Sequence, residues 1–136
     1  MLTATEKKRS LNAEFLGFIG TSKYYRYSVL FPYALTDGTK YIAEKLGLYW
    51  FYDTVLSYQT RPSALLMGLQ RWQLRRVENP KKNSQFLWEV VLLDDAGEAL
   101  ITQGFADICL NGGWEDKFDT YTIYVADGVV FLPSEN

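Results

Sequence analysis

The order of patterns along the chain predicts an α+β fold, with N-terminal helices packed on one face of a four- to five-stranded antiparallel sheet. Three observations carry this. Apolar residues recur at helical spacing between residues 36 and 59. The period falls to two from about residue 69. Two hairpin signals, DDAGE at 94–98 and Asp127-Gly128, punctuate the strand-like half. With 136 residues, 48% hydrophobic, the chain suits one domain over 1–136, large enough to bury a core without disulfides or metals. Its helical part covers about 4–60 and its sheet about 69–132.

Thr3 and Glu6 have capping-box spacing, and a short helix is expected within residues 4–18. Its apolar side draws on Leu11, Phe15 and Phe18 or Ile19, and Gly20-Thr21-Ser22 breaks it. KYYRYSVLFPYAL is aromatic and β-prone but runs into Pro32, so an extended loop or edge strand is expected there. Thr36 or Asp37 can cap the next helix, since a short side-chain oxygen accepts from the exposed N–H groups of a first turn. Gly47 divides that helical stretch. Beyond it, Leu48, Phe51, Tyr52, Val55, Leu56 and Gln59 form an apolar stripe fit to cover the sheet. Pro62 closes the element, because Arg61 before it is pushed out of helical dihedrals.

In LQRWQLRRVE, Trp72 and Leu74 fall on one side and Arg71, Gln73 and Arg75 on the other. NPKKN is a turn. In QFLWEVVLLD, Phe86, Trp88, Val90 and Leu92 alternate with Leu87, Glu89, Val91 and Leu93, and two partly apolar faces suggest a central strand. Gly97 supplies a positive φ to the hairpin that returns as ALITQGFADI. NGGWEDKFD is a loop, and TYTIYVA pairs through Asp127-Gly128 with VVFL.

The sequence contains no histidine, which removes the usual general base, the commonest metal ligand and every Ser-His or Cys-His pair. The one cysteine, Cys109, follows a strand pattern and reads as a small buried hydrophobe. Neither phosphate-cradling glycine motif occurs, and Gly112-Gly113 reads as a flexible turn. No cofactor, metal or catalytic residue is assigned, and a non-enzyme is the expectation. The carboxylates Asp37, Glu44 and Asp53 lie among tyrosines, and a pair of them beside aromatic platforms suits acid–base work as in sugar hydrolysis. Set against that, Asp37 can cap a helix, Glu44 can face water and Asp53 can accept a hydrogen bond from a neighbour. MLTATEKKRS lacks the apolar run of about 7–15 residues of a signal peptide. No segment reaches the roughly 18 apolar residues of a membrane span. A cytoplasmic location with no membrane partner is therefore expected.

Residues 1–82 carry 13 Lys/Arg against 6 Asp/Glu, a balance of +7, whereas 83–136 carry 1 against 10, a balance of −9. The split suggests an electrostatic partner for one face or head-to-tail contact between copies, unless the halves interleave and the field cancels. Two binding surfaces are candidates. The reverse of the aromatic helix presents Tyr49 or Trp50, with Asp53 and Ser57, as a protein-binding face, since Trp and Tyr are common anchors of interfaces. Alternatively, Lys23, Tyr24, Tyr25 and Arg26 with Arg71, Arg75, Arg76, Lys81 and Lys82 offer aromatics and cations to nucleic acid.

GTSKYYRY, TDGTKYIAEKLGLYWFYDTVLSYQ, LQRWQL and the closing DGVVFLPSEN together resemble a family of small bacterial and phage- or plasmid-borne proteins classed only as a domain of unknown function. The likeness runs from about Gly20 to the end. It implies Tyr24, Tyr25, Arg26, Asp37, Gly38, Lys40, Tyr41, Glu44, Tyr49, Trp50, Asp53, Ser57 and Gln59 as pattern positions without roles. The MLTATEKKRS extension and the NGGWEDKFD loop depart from it. The resemblance implies an accessory protein of a mobile element that binds and modulates a host protein.

Overall fold

The computed structural model describes residues 10–28, 33–59, 68–78, 86–106 and 118–135. Helix α1 spans Leu11–Glu14, followed by strands β1, Tyr25–Arg26, and β2, Ala34–Leu35. Helices α2, Asp37–Leu46, and α3, Tyr49–Tyr58, come next. Strands β3, Gln70–Glu78; β4, Phe86–Leu93; β5, Ala99–Ala106; β6, Thr120–Ala126; and β7, Val129–Phe131, complete the sheet before a 3-10 turn at Pro133–Glu135.

The fold is α+β, and its sheet has seven strands in the order β1-β2-β7-β6-β3-β4-β5. It is larger than the four to five strands expected, and it is mixed rather than antiparallel. The extra pair comes from the extended segment after Ser22, inside the part of the chain read as helical. β1 pairs antiparallel with β2, and β2 joins β7 in parallel, Leu35 opposite Val130. Both new strands are two residues long, too short to display a period.

The four long strands follow the sequence pattern closely. β3 lies between β6 and β4, pairing Trp72 with Ile123 and Leu92, and Leu74 with Tyr121 and Val90. These side chains, with Trp88, Val125 and Val130, are buried on the face covered by the helices. β4 is central, as its two apolar faces suggested, flanked by β3 and β5. The turn at 94–98 uses Gly97 at φ 84°, and Asp127 (φ 51°) with Gly128 (φ 76°) makes the tight turn between β6 and β7.

Helix α2 starts at Thr36, whose hydroxyl accepts from Thr39 N while Thr39 Oγ1 accepts from Thr36 N at 2.9 Å. Gly47, in the left-handed region at φ 75°, ends it, and α3 begins two residues later. The stripe Leu48, Phe51, Tyr52, Val55 and Leu56 is fully buried against the sheet. Two buried polar clusters fix the contact. Tyr52 OH donates to Thr39 O at 2.7 Å and lies 2.6 Å from Tyr121 OH. Gln59 and Gln70 exchange amide hydrogen bonds at 2.7 and 2.9 Å, and Trp72 Nε1 donates to Gln70 Oε1 at 2.8 Å.

The first helix is short, as expected, and ends at Glu14. Leu11 is buried and Phe15 and Phe18 pack on the core, whereas Ile19 is 80% exposed. Where β6 extends past the end of β7, Asn12 Nδ2 donates to Thr122 O at 2.7 Å and Asn12 Oδ1 accepts from Thr122 N at 2.7 Å. One side-chain amide thereby replaces a strand partner, and Ser10 bridges Thr120 beside it. Thr3, Glu6, Pro32, Arg61, Pro62, Cys109, Gly112 and Gly113 lie outside the described residues, as do NPKKN at 79–83 and residues 111–117 of the loop.

Candidate functional site

The outer surface of α2 and α3, bordered by β1, gathers the largest set of sequence-singled residues. It is assembled from the first turn of α2. Ser22 donates through both N and Oγ to Asp37 Oδ2, at 2.8 and 2.9 Å, and Asp37 N donates to Thr21 Oγ1 at 2.9 Å. These bonds lock the segment before β1 onto the helix. The donors from Ser22 favour the carboxylate and hold Asp37 below the usual aspartate range.

So anchored, β1 lays its tyrosines along the helices. Lys40 Nζ sits 4.9 Å above the Tyr25 ring and pairs with Glu44 at 2.5 Å. Glu44 also accepts from Tyr49 OH at 3.5 Å. Tyr27 OH reaches Asp53 Oδ1 at 2.6 Å and Tyr49 O at 2.9 Å. The Tyr27 and Tyr49 rings lie 6.0 Å apart. Burial, reinforced by the Asp53 carboxylate, pushes the Tyr27 phenol well above the ordinary tyrosine value. Burial and Glu44 push Tyr49 the same way. The phenols are thus neutral donors tied to carboxylates, with their rings left as contact surface.

Tyr49, Asp53 and Ser57 lie one helical turn apart on the exposed side of α3, as the sequence suggested. Tyr49 is 38% exposed and Ser57 Oγ donates to Thr54 O at 2.6 Å. Trp50 does not share this face. Its ring packs 5.2 Å from Phe105 of β5, and its indole N–H is buried with no hydrogen-bond partner among the described residues. Of the alternatives Tyr49 or Trp50, the fold turns Tyr49 outward, because the sheet curls far enough for β5 to meet the flank of α3. Two other rings are exposed: Tyr24, 64%, beside β1, and Tyr41, 39%, on α2 beneath Lys45. Tyr27 is the ring that joins β1 to α3, and helical spacing on α3 alone does not point to it. Its signal was the two-residue spacing from Tyr25 in KYYRY.

The cationic set divides. Lys23, Tyr24, Tyr25 and Arg26 lie at or beside β1, separated from β3 by β2, β7 and β6. Arg71 and Arg75 share one face of β3, whereas Arg76 is on the other and pairs with Asp119 at 3.5 Å. Lys81 and Lys82 lie outside the described residues. The seven described residues therefore do not form one continuous face.

A mixed sheet covered on one side by two helices, with a tyrosine-rich outer helical surface, defines a small α+β protein. Over residues 9–136 the chain belongs to the Family of unknown function (DUF6876). The match begins ahead of Gly20 and spans the NGGWEDKFD loop. Neither a curated protein nor a solved structure matches this chain.

Proposed function

We propose that the protein is a non-catalytic interaction module that presents the tyrosine surface of α2, α3 and β1 to a protein partner. In this reading it is an accessory protein of a bacterium, phage or plasmid, acting in the cytoplasm on a host protein. One observation supports it most. Tyr49 is more than a third exposed and stands among side chains that are already bonded to one another through Lys40–Glu44–Tyr49 and Tyr27–Asp53. Tyrosine offers wide contact area with few rotatable bonds. A surface ordered before binding loses little conformational entropy on association.

The test is site-specific photo-crosslinking in host cells. A photoreactive residue at Tyr49 is expected to trap one protein that the same residue at Thr102, on the opposite side of the sheet, does not. Asp53→Ala, which releases Tyr27, is expected to weaken that capture about tenfold, an effect typical of a lost interface anchor. Identical crosslinks from both positions, or none from Tyr49, would sink the reading.

A further inference from the structure

The side of the sheet turned away from α2 and α3 carries a groove of about 430 Å³. β3 and β6 form its floor, with Arg71 opposite Tyr124 and Gln73 opposite Thr122. Arg75 and Ser10 close one part of its rim.

The hydrogen-bonding groups here are unequally used. Asn12 spends its amide on the Thr122 backbone. Gln73 Nε2 donates to Thr122 Oγ1 at 3.1 Å, and Gln73 Oε1 accepts from Arg75 Nε at 2.6 Å. That bond steers the Arg75 guanidinium while leaving its terminal nitrogens without a partner among the described residues. Arg71 spends one terminal nitrogen on Asp94 O at 2.6 Å. No carboxylate is among the residues lining the groove. Glu89 faces Arg75 from β4, yet no ion pair joins them among the described residues. The unspent groups are chiefly guanidinium donors, pre-aimed by their neighbours.

We propose that this groove binds a nucleotide, with Arg71 and Arg75 holding phosphate and Tyr124 packing against sugar or base. Charge complementarity selects the ligand: guanidinium forks match phosphate oxygens in pairs, and Glu89, the acid opposite Arg75, forms no ion pair with it among the described residues. The two arginines are four residues apart on one strand, about 13 Å between Cα atoms, so each can take a separate phosphate. The volume fits a nucleotide and exceeds what a lone oxyanion needs, since small-ligand sites run from about 300 Å³ upward. Tyr124 is held edge-on to Phe131 at 5.7 Å, a fixed platform of the kind on which bases stack. This differs from the nine-residue basic face expected from sequence: it excludes β1 and Arg76 and adds Tyr124.

Binding of a fluorescent oligothymidylate, a mononucleotide and succinate is measured on the full chain at two salt concentrations. The oligonucleotide is expected to bind with a salt slope of about −1.4, two single-strand phosphate contacts at roughly −0.7 each. Arg75→Ala should weaken it about tenfold, as loss of a charge-assisted hydrogen bond does. Arg75→Lys should restore part of that loss, and Arg76→Ala, on the other face, should change nothing. Tighter binding of the oligonucleotide identifies a strand as the source, and equal binding of the mononucleotide identifies a free nucleotide. No binding of either, equal binding of succinate, or binding indifferent to Arg75→Ala with circular dichroism unchanged would each overturn the proposal.

Discussion

Gly38 sits where α2 meets the last turn of the chain. A β-carbon there would lie 2.6 Å from Leu132 Cδ1 and 3.1 Å from the Glu135 carboxyl carbon. Neither neighbour can yield easily. Leu132 is 1% exposed. The Glu135 carboxylate accepts from Thr36 Oγ1, Gly38 N and Leu132 N, at 2.5, 3.0 and 2.9 Å. It thereby satisfies an otherwise orphan N–H and places negative charge at the positive end of α2. Gly38→Ala gains up to about 1 kcal/mol of helix propensity. Overpacking of about 1–3 kcal/mol outweighs it, so urea denaturation is expected to show net destabilisation. Glu135→Gln should lower stability by about 0.5–2 kcal/mol, the usual loss at a helix cap. A Gly38→Ala variant as stable as the parent would mean that the closing turn is not docked as described. The sequence offered Thr36 or Asp37 as the cap, of which Thr36 is used. It could not announce Glu135, which reaches the same turn from 97 residues further along.

At the scale of elements, α3 is fastened to the head of β3 by the Gln59–Gln70 amide pair. Gln70 is 5% exposed and also receives the Trp72 indole N–H. Each polar group removed here strands another in a dry site, at about 1–3 kcal/mol. Gln70→Leu should therefore destabilise strongly, and adding Gln59→Leu should cost much less than its effect alone. A double-mutant cycle checks this coupling, and additive losses would show that the pair does not act as a unit. Most of the sheet was legible because β3, β4, β5 and β6 are each seven to nine residues long, enough for alternation to show. β1 and β2 showed only as one extended loop or edge strand, since a two-residue strand exists only through its neighbours, and β1 is the edge. The same distinction governs the site. Helical spacing put Tyr49, Asp53 and Ser57 on one side of α3. Whether position 50 faces solvent depends on how far β5 wraps, and that is a property of the sheet.

Over the whole molecule, the two oppositely charged parts of the chain interleave. β3, from the basic part, lies between β6 and β4, both from the acidic part. The linear split of +7 and −9 therefore does not map onto two separate ends. The global consequence of the tyrosine content is instead a dependence on alkaline pH. Tyr52 and Tyr121 are fully buried with hydroxyls 2.6 Å apart, and burial raises both above the ordinary value of 10.0; Tyr27 moves the same way. Below pH 10 these phenols are protonated in both folded and unfolded chains, and their contribution to stability is fully present. As pH rises past 10, the unfolded chain releases protons that the folded chain retains, so stability falls with increasing pH. Tyrosinate absorbance of the folded protein should consequently remain short of the ten tyrosines until the circular dichroism signal is lost. Tyr121→Phe leaves Tyr52 bonded to Thr39 O and removes one raised group, so stability should decline less steeply above pH 10. Ionisation of all ten tyrosines with the circular dichroism intact would show that the buried pair is open to solvent, and that α3 does not seal the sheet.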